Sequence, residues 1–320
     1  MQVKAPDRAT AEQPPPTQRP ARRPRTTAPR RHSRRIQGLA YAAPTAVFAI
    51  VFFLLPLLLV GRMSLDDWPL LAGDQGANAP ENYTDVMDGP LFWPAVRFTL
   101  LYTAVVTVVL LGLALLLALL VQESRPGAGF FRTVYFLPGA VGLASASLLF
   151  WGLYSPTTGP LSSILGHLGL VDGPVSFLGT PTSALLSTVF LVVWKFAGFY
   201  MLILLVGLQR IPHEVYEAAR MDGASRGQIF RSITLPLLRP SLALSLLLCV
   251  TGSLLAFDQF FVLTKGGPDN STVTVVQLIY REAFQRLNLG TAAALSILVL
   301  GALLLLNAVQ FRGLRRSDES

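Results

Sequence analysis

Six long apolar runs, separated by more polar segments, dominate the order of hydrophobic and polar positions along the chain. A membrane core of about 30 Å needs about 20 helical residues to cross it, and each run reaches that length. The pattern therefore predicts an all-α integral membrane protein with six transmembrane helices, at about residues 39–60, 95–121, 130–153, 183–208, 241–263 and 291–311.

The third run differs from the others because Pro138 and Gly139 interrupt it. Proline removes one backbone donor, and neighbouring helices can satisfy the carbonyl group that this leaves free inside a membrane protein. We therefore expect a kink in the third span at these two residues.

The distribution of lysine and arginine predicts the orientation of the spans. With the N-terminus inside, the inner segments hold 20 of the 26 Lys and Arg residues and the outer segments hold five, while Lys195 lies within a span. Inner loops of membrane proteins carry such an excess. We expect a multi-pass protein of the bacterial cell (inner or plasma) membrane with both termini in the cytoplasm, and a cytoplasmic loop at residues 209–240.

Composition supports lipid as the surrounding medium and limits the chemistry. The chain is 52% hydrophobic and 14% charged, whereas soluble proteins have about 25% charged residues. Its single cysteine, Cys249, can form no internal disulfide, and its three histidines lack the spacing of metal ligands. We expect no metal site in this chain.

The termini are predicted to lie outside the membrane domain. Residues 1–35 hold ten of the basic residues and many prolines, and a segment so poor in apolar side chains is expected to be a disordered cytoplasmic tail. The six-span domain is predicted at 36–312 and a short cytoplasmic tail at 313–320. Because the basic excess lies mainly in the tail, we expect no nucleic-acid partner.

The loop between spans four and five has its own signals of structure. Pro212 suits the first turn of a helix, and Gly223 suits the left-handed residue that ends one. A second helix is predicted from about residue 225 to 233, with Pro236 as its stop. The loop is thus expected to form a cytoplasmic helix-turn-helix. Taken alone, it could be an amphipathic connector on the membrane, and its place between two spans argues against DNA binding.

The residues of this loop resemble the coupling loop of permeases of ATP-binding-cassette importers. The matching positions are Glu217, Ala218, Ala219, Asp222, Gly223, Ile233, Leu235 and Pro236. The resemblance implies a second permease subunit in a heterodimer, two ATP-binding-cassette ATPase subunits docked through this loop, and an external solute-binding protein. The sequence has no Gly-x-x-x-x-Gly-Lys-Ser/Thr phosphate loop, so no cofactor is expected on this chain. ATP and magnesium are expected in the partners, and this chain is not expected to be an enzyme.

A second group of residues resembles the carbohydrate-uptake branch of these importers, of the maltose and glycerol-3-phosphate type. It comprises Asp222 to Ala224, the segment Lys265-Gly266-Gly267-Pro268, and Tyr280. The resemblance implies import of a sugar, delivered by a sugar-binding protein. An importer permease for a non-sugar solute and a secondary transporter are the alternatives.

Two charged residues lie within predicted spans, Lys195 in the fourth and Asp258 in the fifth. Such charges usually face the bundle interior or a water-filled path. Phe257 and Phe261 share one face of a continuous helix with Asp258 about 100° away, so Phe257, Asp258, Phe261 and Lys195 are the candidate solute path. Gln259 would point elsewhere. For both charges, a hydrogen bond that fixes helix packing is the competing interpretation.

Overall fold

The structure is a computed structural model that describes residues 41–122, 127–169, 171 and 173–318. The predicted tail at 1–35, the first two residues of the first predicted span and Arg125 lie outside these described residues.

The regular secondary structure of the described residues is helical, apart from two isolated β-bridges. In chain order, the helices are α1 (Tyr41–Met63), α2 (Glu81–Asp88), α3 (Phe92–Val121), α4 (Ala128–Phe136), α5 (Leu143–Leu153), α6 (Pro160–His167), α7 (Pro181–Gln209), α8 (His213–Met221), α9 (Arg226–Leu254), α10 (Val275–Tyr280) and α11 (Leu289–Asp318). Within the described residues, α1, α3, α7, α9 and α11 are each long and apolar enough to cross a membrane.

The third predicted span is a broken pair of helices. A 3₁₀ turn at Leu137–Ala140 follows α4, and the segments Gly129–Ala140 and Leu143–Leu153 are bent by 93°. The described residues therefore contain six spans if this pair counts as one. The kink predicted at Pro138 and Gly139 is confirmed, and it amounts to an interruption of the helix.

The main core lies between α3, α7 and α9. Small residues allow the close contact: Ala114 and Ala118 of α3 are fully buried, and a Cβ atom on Gly198 of α7 would collide with the backbone of Tyr135 and Phe136. Close approach through small residues is the usual way in which membrane helices pack.

Helix α1 has a different environment from the other spans. The described part of the chain divides into two compact units between Leu55 and Pro56. The first part of α1 belongs to one unit and the rest of α1 to the other. None of the most apolar stretch of α1 is buried among the described residues.

Two predictions about the fifth span are wrong. Helix α9 does not stop at Pro236, because a wider π-helical turn at Phe230–Thr234 precedes the proline and relieves the contact of its ring with the preceding turn. The helix then ends at Leu254, whereas the apolar run suggested residue 263. Residues 255–257 are not helical, and a π-helical turn follows at Phe260–Thr264.

Candidate functional site: a docking loop and a cavity

The loop between α7 and α9 is formed by residues 210–225, which we call the docking loop. Its helix α8 begins after Pro212, whose backbone is extended (ψ 142°), and carries Glu214 in its first turn. An acidic side chain there interacts favourably with the positive end of the helix. The loop therefore has a defined structure set by its own sequence.

Gly223 ends α8 with a φ of +77°. Its N–H donates to the carbonyl of Arg220 at 3.1 Å, and the N–H of Ala224 donates to the carbonyl of Ala219 at 3.0 Å. These two bonds define a Schellman motif, in which glycine is preferred because a Cβ atom disfavours positive φ. The motif explains in physical terms why a glycine occurs at position 223.

Helix α9 begins immediately after this turn. The side chain of Ser225 accepts a hydrogen bond from the backbone N–H of Gln228, and the side-chain Oε1 of Gln228 accepts one from the backbone N–H of Ser225. This capping box satisfies donors at the helix start. The two helices of the loop are thus joined by only a few residues with fixed conformations.

The docking loop is held from one side and exposed on the other. Tyr216 is buried, and its hydroxyl lies 3.4 Å from that of Thr234. The exposed side of α8 carries Glu214, Glu217 and Ala218, followed by Met221, which is 88% exposed. The exposed side of α8 thus combines one large apolar side chain with two carboxylates.

The predicted coupling residues fall into two groups in the structure. Glu217, Ala218, Asp222 and Gly223 are exposed on the docking loop, with Ala219 half-buried. The second group, on α9, is half-buried and consists of Ile233, Leu235 and Pro236. Only the first group offers a surface to a partner, while the second lies where α9 enters the bundle.

A cavity of about 190 Å³ lies between α3, α7 and the end of α9. Aromatic side chains form much of its wall, and polar groups are placed among them, a combination typical of small-molecule sites. The polar and aromatic residues that line it are Tyr102, Phe196, Tyr200, Ser253, Phe257, Asp258 and Gln259.

Gln259 is a deeply buried amide at this cavity. Its side chain is 3% exposed, and its Nε2 donates to the hydroxyl of Tyr102 at 3.1 Å. Its Oε1 is buried without a hydrogen-bond partner among the described residues. An unsatisfied buried acceptor is costly unless a ligand or water completes it.

The structure divides the residues predicted for the solute path. Phe257 and the exposed carboxylate of Asp258 line the cavity. Phe261 does not; its ring stacks on Phe257 at 5.0 Å and contacts Tyr280. Gln259 was expected to point away from Phe257 and Asp258, but all three line this cavity. Residue 257 is not helical, so the spacing of a continuous helix does not apply.

Lys195 has structural contacts and lies outside the cavity lining. It is 4% exposed, and its ammonium group donates to the carbonyl of Gly139 at 3.2 Å and to that of Val141. These carbonyls belong to the break between α4 and α5, where helical partners are missing. A cation at the C-terminal end of a helix is favourable.

Sequence analysis did not identify Tyr102, Tyr200, Ser253 or Gln259 as a group. Each is a polar or amphipathic residue within or next to an apolar run, and this is the signal that could have selected them. Their convergence depends on the crossing of three helices far apart in sequence, which the order of residues does not display.

Comparison with known proteins identifies the fold and family. Residues 111–316 match the family described as "Binding-protein-dependent transport system inner membrane component". The trehalose/maltose transport system permease protein MalF of Thermococcus litoralis is 35% identical over 82% of this chain and 88% of its own length. The multiple sugar-binding transport system permease protein MsmF of Streptococcus mutans is 31% identical over 82% of this chain and 89% of its own.

A solved structure has the same fold. A chain in the crystal structure of a bacterial alginate ABC transporter superimposes with a TM-score of 0.78 and 23% identity, covering 89% of this chain and 96% of that one. From the family match and the curated relatives, the chain belongs to the family of binding-protein-dependent transport system inner membrane components.

Proposed function

We propose that this chain is a permease subunit of an ATP-driven importer that carries a sugar into a bacterial cell. The chain is a multi-pass membrane protein of a transport family, and relatives of at least 30% identity are named as permeases for sugars. The observation that carries the proposal is the exposed docking loop, because a secondary transporter does not need one.

The docking loop supplies the contact through which ATP-driven movement enters the membrane domain. Met221, Glu217 and Ala218 form the exposed face of a short helix. In our proposal one of the two ATPase subunits binds this face, and the other binds the second permease subunit. ATP and magnesium are held by those subunits. Because α9 begins three residues after Gly223, movement of the loop is transmitted directly to a spanning helix.

The sugar passes through the cavity at the end of α9. Hydroxyl groups of a sugar require acceptors and donors, and its ring presents apolar faces suited to aromatic side chains. Asp258, Gln259 and Ser253 supply polar groups, and Phe257 and Tyr200 supply aromatic ones. A second permease subunit completes the path, and the family's description supports a solute-binding protein that delivers the sugar.

The mechanism follows from these two sites. Closure of the ATPase subunits on ATP moves the docking loops, and the two permeases change from facing the cytoplasm to facing the outside. The binding protein then releases its sugar into the cavity, and ATP hydrolysis returns the assembly to the inward-facing state. This scheme places the docking loop and both termini in the cytoplasm.

The test measures uptake and its energy source together. Cells that lack this chain are supplied with it again and given radiolabelled maltose and trehalose. Uptake restored by the chain should survive an uncoupler that collapses the proton gradient and should stop when arsenate depletes ATP. Uptake that follows the proton gradient would identify a secondary transporter, and restored uptake of non-sugar solutes alone would identify an importer of another class.

A further inference from the structure

The charge of the cavity lining limits which sugars can occupy it. Asp258 is the one acidic residue in the lining, and it is an exposed residue. The described residues that line the cavity include no lysine, arginine or histidine. The electrostatic environment that this chain gives to a solute is therefore negative.

Lys195 is a candidate cation that could compensate the charge of Asp258, but its contacts show that it does not. Lys195 directly precedes Phe196, which lines the cavity. Its ammonium group, however, is bound to the carbonyls of Gly139 and Val141 at the break between α4 and α5. It is committed to those acceptors and leaves the carboxylate of Asp258 without a partner cation from α7.

The remaining polar groups complete a site for hydroxyl or ammonium donors. The buried Oε1 of Gln259 lacks a donor among the described residues, and Asp258 is its neighbour in sequence. Both are acceptors, and a carboxylate accepts hydrogen bonds only. A solute that brings its own hydroxyl or ammonium donors satisfies them, whereas a solute carboxylate or phosphate brings further acceptors and a like charge.

We propose that Asp258 makes this path selective for sugars without a negative charge, namely neutral sugars and amino sugars, and that it excludes uronic acids and sugar phosphates. This inference rests on the proposed function, since it concerns the same cavity. It specifies the chemical class of the solute, which neither the family nor the fold determines.

The test compares three solutes that share one ring and differ in one group: glucose, glucosamine and glucuronate. Their binding to the purified importer, with all its subunits present, is measured by saturation-transfer NMR, which detects weak binding. For the wild-type chain, we expect signals for glucose and glucosamine and a response to glucuronate weaker by about tenfold or more. Asp258→Asn should make the responses to the three sugars similar in size. Asp258→Glu should keep the response to glucuronate weaker than the other two.

Asp269→Asn is the matched control, because Asp269 is an exposed residue of the loop after Gly267 and is not among the residues that line the cavity. It should leave all three responses unchanged. A wild-type response to glucuronate equal to that for glucose would overturn the selectivity while leaving a sugar path intact, and so would wild-type discrimination that persists in Asp258→Asn. The absence of any response to all three sugars would overturn the inference and the proposed sugar path together.

Discussion

Gly223 shows how a single residue sets the shape of the docking loop. Its φ of +77° is rarely adopted by residues with a side chain, although the space around it is open. Substitution is therefore limited by backbone conformation and not by collision. This residue was predicted from sequence as the end of a helix, because glycine readily adopts the left-handed conformation in which many helices end.

Replacement of Gly223 by valine should weaken attachment of the ATPase subunits. A β-branched residue at positive φ costs roughly 1–3 kcal/mol, which favours opening of the Schellman motif and displacement of Met221 and Glu217. We expect less ATPase to copurify with the permease and lower sugar-stimulated ATP hydrolysis, with the membrane domain still inserted.

Gly227→Val provides the control for this variant. Gly227 lies in the first turn of α9 at an ordinary helical φ, and a Cβ atom there meets no neighbour within 4 Å. It tests the same change of side chain without the backbone strain. A special role for the turn would be contradicted if both variants lost the same amount of copurifying ATPase. It would also be contradicted if neither variant lost any.

Lys195 provides the second prediction at this scale. Replacing it with methionine keeps most of its length but removes the donors to the carbonyls of Gly139 and Val141. Each buried carbonyl left without a partner costs about 1–3 kcal/mol. The thermal unfolding midpoint of the purified importer should fall, whereas glucose binding to properly folded molecules should persist.

Lys265→Met is the control, because Lys265 is exposed. The thermal unfolding midpoint of this variant should stay close to that of the wild type. An unchanged midpoint for Lys195→Met combined with loss of glucose binding would reassign Lys195 to the solute path.

The breaks in the spanning helices are the features that local sequence predicts least well. The interruption at Pro138 was expected, because proline is a local signal. The end of α9 at Leu254 was not, since the apolar run continues to residue 263 without a proline or a charge until Asp258. Conversely, Pro236 and Pro240 lie inside helix without ending it. A local π-helical turn accommodates Pro236, whereas the break after Leu254 requires distant groups that satisfy the freed backbone atoms.

Thr274 is such a distant group for the break after Leu254. Its hydroxyl donates to the carbonyl of Ala256 at 2.8 Å and accepts from the backbone N–H of Gln277 as the cap of α10. The N–H of Val275 is in turn bonded to the hydroxyl of Thr99 on α3 at 3.1 Å. The non-helical segment that lines the cavity is therefore fixed by residues 18 or more positions away.

Thr274→Val should loosen this segment. The variant retains the shape of the side chain but leaves the Ala256 carbonyl without its donor and α10 without its cap, at a combined cost of about 2–4 kcal/mol. Amide hydrogen exchange should become faster in residues 255–264 and sugar binding weaker. Thr274→Ser retains the hydroxyl and should restore both; failure of serine to do so would show that packing of the methyl group matters instead.

At the scale of the whole molecule, the number of crossings determines which side each loop occupies. Six spans were predicted from the apolar runs, and their orientation was predicted from the charge distribution. The structure has the predicted number of spans if α4 and α5 form one span. If that bent pair instead entered and left the membrane on one side, the docking loop would lie on the side opposite to the N-terminus. The order of loops therefore depends on a single broken helix pair.

Contacts along α7 favour a complete crossing by the bent pair. Arg132 of α4 bonds to the carbonyl of Val121 at the end of α3, and α4 then packs against Gly198 near the middle of α7. The hydroxyl of Tyr154, just after α5, bonds to the carbonyl of Ser187 near the start of α7. The pair thus advances along α7 from its middle towards its first turns, away from the docking loop.

Cysteine labelling tests this arrangement. In a chain whose only native cysteine is removed by Cys249→Ser, single cysteines replace the exposed residues Asp74, Thr157, Asn270 and Ser225, and each variant must first retain sugar uptake. An impermeant maleimide applied from outside should label positions 74, 157 and 270. Position 225 should react only in inverted vesicles, because the proposed orientation puts the docking loop in the cytoplasm. External labelling at 74 and 225 with protection at 157 would show that α4 and α5 do not cross the membrane, and would place the docking loop beyond the reach of any cytoplasmic ATPase.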